Sequence, residues 1–268
     1  MQKRLGSLRD DVEEGDTVAL TKDLIYTNTE PLLNDVGGIK ANAHPEGFSD
    51  TSITDLLTEL LYPYTKPVID SFALTPAAGV KKKGESFSLT AATAKITKKS
   101  KTISKVDLYK GSTVIETISG PEIQTGTTIT FSELNDDVAG TENVTYTVKV
   151  SEENGAPDVV TKSATYTFVD PYYCGIINKD AEINDTLVTS LTEKVESKGT
   201  KSYAYTTTTE QCSVIAYPKS YGELKSIKDP NGFTQTWTKV EITINNVAYY
   251  VYVSNAAEAS DFYYTFTY

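Results

Sequence analysis

At 268 residues, 39% of them hydrophobic, the chain is long enough for two compact domains, each with an adequate core. The formal charge of −11 argues against broad binding to a nucleic-acid backbone, which needs clustered Lys and Arg, and acts mainly to keep a protein soluble. Eighteen Tyr, eight Phe and one Trp amid many Thr and Val favour strands, because aromatic and β-branched side chains fit a pleated, half-buried surface, so the expected fold is mostly β.

The first residues, Met1-Gln2-Lys3-Arg4 and the stretch to Asp11, contain no apolar run of signal-peptide length, and nothing further on approaches a membrane span. Synthesis in the cytosol and no membrane partner are the expectation. Residues 1 to about 50 show little periodicity and hold an acidic stretch, Asp10 to Asp16, which reads as an irregular arm that orders against a partner. Within it, Val36-Gly37-Gly38-Ile39 lets the backbone change direction. From Ser52 the pattern becomes helical: Ile53, Leu56, Leu57, Leu60 and Leu61 form one stripe, Ser52 stands at the cap position, and Pro63 ends the element. Residues 1–65 are therefore read as an N-terminal attachment arm with a short helix. Its assembly contacts are expected at Val36, Gly37, Gly38, Ile39, Leu56, Leu57, Leu60 and Leu61, with the leucine stripe buried as a brace.

Residues 66–170 read as about seven short strands, with turns at Lys83-Gly84, Lys110-Gly111, Gly120-Pro121 and Asn154-Gly155. That spacing fits an immunoglobulin-like β-sandwich without a Cys-Trp-Cys pattern, closed by a hairpin of Thr145–Val150 with Thr165–Val169. Residues 171–268 change character. Ile183, Leu187, Leu191 and Val195 fall four apart and predict a helix, strands follow, and Phe262 to Tyr268 predicts a final strand inside a sheet. This is the expected C-terminal α+β module.

Candidate chemistry is sparse. The lone His44 sits beside Pro45 in the arm, too isolated for a catalytic triad, and one His with two distant Cys lacks zinc-ligand spacing. Cys174 and Cys212 are read as two buried thiols, with pairing left open. The carboxylates Asp136-Asp137, Glu152-Glu153 and Asp229 fall in turn-like segments where they are ordinarily solvated, although a glycosidase needs only two at a suitable separation. The runs Lys81-Lys82-Lys83 and Lys98-Lys99-Ser100-Lys101 read as solvated strand edges. No cofactor or metal is implied. The pairs Tyr172-Tyr173, Tyr249-Tyr250 and Tyr263-Tyr264 put one ring on each face of a strand. Either one ring of each pair points outward to hold a sugar or a protein partner, or both faces are covered, the reading preferred, which brings in a neighbouring subunit and predicts an oligomer.

Val36-Gly37-Gly38-Ile39, Leu56 to Tyr64, Pro67, the long stretch Ile215 to Phe233 with its Tyr217-Pro218-Lys219-Ser220-Tyr221-Gly222 and Asp229-Pro230-Asn231-Gly232-Phe233 turns, and Tyr249 to Asn255 resemble structural proteins of tailed-bacteriophage virions. The resemblance, to tail or head fibre, baseplate or appendage proteins, covers most of residues 36–268. It implies an N-terminal attachment segment, an Ig-like domain and a C-terminal module, with no catalytic residues to carry over. The implied role is a non-enzymatic virion component made in the host cytoplasm. Its implied partners are capsid, neck or tail proteins, further copies of itself as a dimer or trimer, and a host-surface glycan as a further candidate. A bacterial surface adhesin or carbohydrate-binding module is the alternative.

Overall fold

The computed structural model describes residues 25–28, 34, 36, 39, 48–124, 126–153, 159–255 and 262–268. Among these, strands dominate and only two short α-helices form, as the composition implies. The chain divides into two compact units, 1–67 and 68–268.

In the first unit, β1 (Ile25–Asn28) pairs antiparallel with β2 (Phe48–Ser52), and α1 (Ile53–Leu61) follows directly. The stretch read as an irregular arm thus contains a strand pair. Neither strand was legible, because four or five residues with Asn, Asp and Ser among them carry too little apolar alternation to stand out. His44 lies outside the described residues.

The second unit opens with β3 (Val68–Thr75), β4 (Gly79–Lys82), β5 (Phe87–Thr97), β6 (Ile103–Lys110), β7 (Thr113–Ser119), β8 (Thr127–Val138), β9 (Val144–Glu152) and β10 (Val160–Val169). They form a five-stranded sheet, β4-β10-β9-β6-β7, and a three-stranded sheet, β3-β5-β8. Period-two alternation sends Leu89, Ala92, Ala94 and Ile96 of one sheet and Val106, Leu108, Tyr146, Val148 and Tyr166 of the other into a single core, as in a β-sandwich. The anticipated hairpin is present, with Val150 opposite Val160. Gly84 and Gly111 take φ of +87° and +58°, so both Lys-Gly turn signals mark real reversals.

The remainder comprises β11 (Tyr172–Asn178), α2 (Asp185–Thr189), β12 (Thr192–Lys194), β13 (Lys201–Tyr205), β14 (Gln211–Pro218), β15 (Ser226–Lys228), β16 (Trp237–Ile244), β17 (Val247–Ser254) and β18 (Phe262–Thr267). The central sheet is β12-β11-β14-β17-β16, and a smaller one, β13-β18-β15, holds the final strand in its middle. One face of the central sheet packs Tyr172, Ile215, Tyr217, Tyr250 and Tyr252 against Tyr205, Tyr264 and Phe266 of the smaller sheet. The other packs Tyr173, Val214, Tyr249 and Val251 against Val188 of α2, with Ile183, Leu187 and Leu191 around it. Tyr172-Tyr173 and Tyr249-Tyr250 therefore each place one ring in each of two cores, with the cover supplied by this chain itself, and Tyr264 joins the first core while the Tyr263 side chain lies outside the described residues. Neither Tyr172-Tyr173 nor Tyr249-Tyr250 needs a neighbouring subunit for cover.

The helix expected over Ile183 to Val195 is corrected to the five residues Asp185–Thr189. Asn184 caps it by accepting from the Leu187 N–H at 2.9 Å. Ser190 ends it, its hydroxyl bonding back to the Leu187 carbonyl at 2.6 Å, and Thr192–Lys194 then pairs with β11 as a strand.

Candidate assembly surface

Helix α1 forms where the leucine spacing places it and stops two residues before Pro63; the Thr58 hydroxyl bonds the Thr54 carbonyl at 2.8 Å, and the Tyr62 N–H closes the last turn on Thr58. Residues i and i+4 lie one above the other on a helix, so Leu56 and Leu60 share one line and Leu57 and Leu61 the next. The two lines fare differently. Leu56 and Leu60 are half-buried, whereas Leu57 is 44% and Leu61 67% exposed, and Tyr62 beyond them is 76% exposed. The expectation that the stripe buries as a brace is thus corrected for Leu57 and Leu61, which stand in solvent, while the Ile53 side chain lies outside the described residues. An exposed line of large apolar side chains on an element this short is a surface available to a partner.

Val36 and Ile39 are brought together by two backbone hydrogen bonds, 2.9 and 3.0 Å, which is the reversal read from the Gly pair. Ile39 is buried and Val36 is 47% exposed. Gly37 and Gly38 between them lie outside the described residues.

Of the candidate carboxylates, Asp136, Asp137 and Asp229 are engaged in structure, and Glu152, expected in a solvated turn, is instead buried at the end of β9. Asp136 accepts from Lys110 Nζ at 2.8 Å and from the Tyr146 hydroxyl, while Asp137 accepts from Ser88 Oγ at 2.5 Å. Burial and the neighbouring Asp136 hold the Tyr146 phenol far above its ordinary range, so it serves as a donor and not as a base. Asp229 takes the N–H groups of Asn231 and Phe233, each at 2.9 Å, and Gln235 Nε2 at 2.9 Å, which makes the Asp-Pro-Asn-Gly-Phe stretch turn chemistry. Cys174 and Cys212 are buried in different cores, and β11 and β14 place Ile177, not Cys174, opposite Cys212. They are free thiols, and burial pushes Cys174 above the ordinary thiol range. A cleft of about 640 Å³ beside Cys174, Lys194 and Tyr203 has Lys194 as its one charged lining residue, so no carboxylate pair converges there. Among the described residues no cluster of His, Cys, Asp and Glu could hold a metal, and no helix is long and apolar enough to cross a membrane.

The Lys runs behave as solvated edges with local ties: Lys82 pairs with Glu193 at 2.6 Å, Lys81 lies over the Phe87 ring, and Lys99 is exposed. Two groups escaped the sequence reading. Asp107 is fully buried on β6, held by Lys105 at 2.8 Å and Thr117 at 2.7 Å, and nothing in Ile103–Lys110 distinguishes it from a solvated strand residue. On the β16 side of the central sheet, Lys219 and Lys239 stand 5.3 and 4.9 Å from the centre of the Tyr250 ring, and pair with Glu241 and Glu223, both at 2.6 Å. The alternation Lys239-Val240-Glu241 was the available signal for that patch.

Set against protein-family models and curated proteins, the chain has no match.

Proposed function

We propose that the chain is a non-enzymatic structural subunit of a tailed-bacteriophage virion, a head or tail fibre or appendage protein that attaches through its N-terminal unit and projects its β modules for assembly or contact with the host surface. The observation that carries this reading is where unsatisfied surface remains. Large apolar side chains stand in solvent along α1, at Leu57, Leu61 and Tyr62, while the candidate carboxylates Asp136, Asp137 and Asp229 are engaged in ion pairs and turns. An exposed apolar helix line suits docking on capsid, neck or tail proteins.

In this reading the first β module is an immunoglobulin-like sandwich. The strand orders β4-β10-β9-β6-β7 and β3-β5-β8 support it, as does the parallel pairing of β4 with β10. The second module is the α+β appendage, for which the packing of Val188 of α2 on the central sheet is the support. Self-association as a dimer or trimer belongs to the proposal, resting on the closed symmetry by which repeated subunits usually assemble.

Proteomics of purified particles tests it. The protein is expected among the virion components, and a chain lacking residues 1–43 is expected to fold and to be absent from particles. Absence of the full chain from particles removes the proposal, and normal incorporation of the shortened chain moves attachment to another part of the molecule.

A further inference from the structure

The β16–β17 hairpin turns through Asn245 and Asn246, whose φ values are 49° and 65°. Positive φ at both central residues is the two-residue type I′ geometry, in which the closing pair, here Ile244 and Val247, exchanges both hydrogen bonds. Counting back by twos, Ile244, Ile242, Val240 and Thr238 direct their backbone groups toward β17. Thr243, Glu241 and Lys239 direct theirs away from it, and no other strand pairs with β16 on that side. All three residues are exposed.

Free edges are ordinarily blunted by bulges or by shortness. Among the described strands, the edges β3, β7 and β8 each have a register break against their neighbours, as does the β1–β2 pair. The edges β4, β12, β13 and β15 are five residues or shorter. Strand β16 has neither protection: it pairs with β17 without a break over eight residues and contains no proline.

We infer that β16 is a self-association edge, joined antiparallel to β16 of a second copy about a two-fold axis through Val240. Antiparallel pairing requires outward-facing residues to meet outward-facing residues, which leaves three central registers. Setting Glu241 opposite its own copy, or Lys239 opposite its own copy, opposes like charges. The register centred on Val240 puts Lys239 opposite Glu241 on both sides of the axis, adding to their exposed ion pairs with Glu223 and Lys219, and puts Thr243 opposite Trp237, so it is self-complementary. On the other face, half-buried Val240 meets its own copy and half-buried Ile242 meets Thr238, extending the apolar face that Val240 and Ile242 already lend to the core beneath. Two five-stranded sheets become one of ten strands. The partner is a second copy of this chain, selected by that charge order and by backbone pairing.

This interface specifies the self-association within the proposed function, yet it is tested apart from it. Failure of the edge leaves particle incorporation unaffected, and absence from particles leaves the edge measurable in solution. The full chain is expected to sediment as a dimer. Val240→Cys is expected to give a disulfide-linked dimer under mild oxidation, because directly opposed residues of a non-hydrogen-bonded antiparallel pair lie about 4.5 Å apart at Cα, within disulfide reach. Ile242→Cys, facing Thr238 of the other copy, is expected to stay unlinked, and Cys174 and Cys212 are buried and supply no background. Lys239→Glu opposes Glu to Glu twice and is expected to abolish the dimer; it also gives up the exposed Lys239–Glu223 pair, so thermal unfolding of the monomer is expected to shift only slightly. A monomer at high micromolar concentration, or a dimer that links through Ile242→Cys and not through Val240→Cys, overturns the inference.

Discussion

Asp107 shows how much a single side chain can depend on its neighbours. Burial alone raises a carboxyl pKa, but hydrogen bonds from Lys105 and Thr117, with the Lys105 charge, outweigh it and hold Asp107 below its ordinary value of 3.8. A folded pKa below the unfolded one means that the ionised form favours the native chain. That contribution is complete above the ordinary value and is lost as pH falls through the lower folded value. Asp107→Asn is therefore expected to lower stability by roughly 1–3 kcal/mol near neutral pH, because a buried charge-assisted contact is weakened. The gap between variant and parent should narrow below about pH 4. Urea midpoints measured across that range check it, and a gap independent of pH counts against the role given to the Asp107 charge. Leu57 sits at the opposite extreme of burial. At 44% exposure it contributes little to the fold, so Leu57→Asp should change stability by no more than about 0.5 kcal/mol while, under the proposed function, reducing incorporation into particles. Thermal unfolding of the variant separates this from the several kcal/mol expected for a buried site.

Elements were legible where period and punctuation agreed. The alternation of Thr145–Val150 and Thr165–Val169, with turn formers between, gave β9 and β10 and their pairing, and Pro63 gave the end of α1 to within two residues. The helix over Ile183 to Val195 misled because four-residue spacing records which side chains reach a core, not the backbone that carries them there. Ile183, Leu187 and Leu191 do pack on one core, but Ser190 and the Thr residues around it offer side-chain bonds that compete with the helix, and Leu191 packs against Gly175 from beyond its end. Of the candidate site, α1 and the Val36–Ile39 reversal were readable, since both depend on local sequence. Exposure was not, because whether Leu57 or Leu56 meets a neighbour depends on contacts distant in the chain. Gly140 illustrates the same limit. Nothing in Ala139-Gly140-Thr141 marks a close approach, yet a Cβ there would stand 2.0 Å from the Glu85 carbonyl oxygen, and the Gly84 N–H bonds the Gly140 carbonyl at 2.8 Å. Gly140→Ala must push two backbone segments apart, and a loss of about 1–3 kcal/mol is expected, the usual range for overpacking. Chemical denaturation would show it, and an unchanged midpoint would mean that the loop after β4 yields freely.

At the scale of the whole second unit, the sandwich core draws only on residues between Ile69 and Phe168, and both aromatic cores draw only on residues from Tyr172 onward. The ties between these modules are few and wet. Lys82 and Glu193 meet at 2.6 Å with side chains 44% and 34% exposed, and an ion pair of that exposure contributes about 0–1 kcal/mol. A cavity of about 410 Å³, lined from both sides by Lys82, Gly140, Tyr173 and Tyr249 among others, lies at the junction where a shared core would otherwise be packed. A module that keeps all of its buried side chains when cut free should keep its fold. A chain of residues 68–170 is therefore expected to unfold in one cooperative urea transition, with a slope of about 1 kcal/mol/M suited to a domain of that size. Lys82→Ala in the full chain should leave that module's midpoint nearly unchanged. A fragment with strand-like circular dichroism but no cooperative transition would show that the C-terminal module supports the sandwich, and residues 68–268 would then be one rigid body and not two jointed ones.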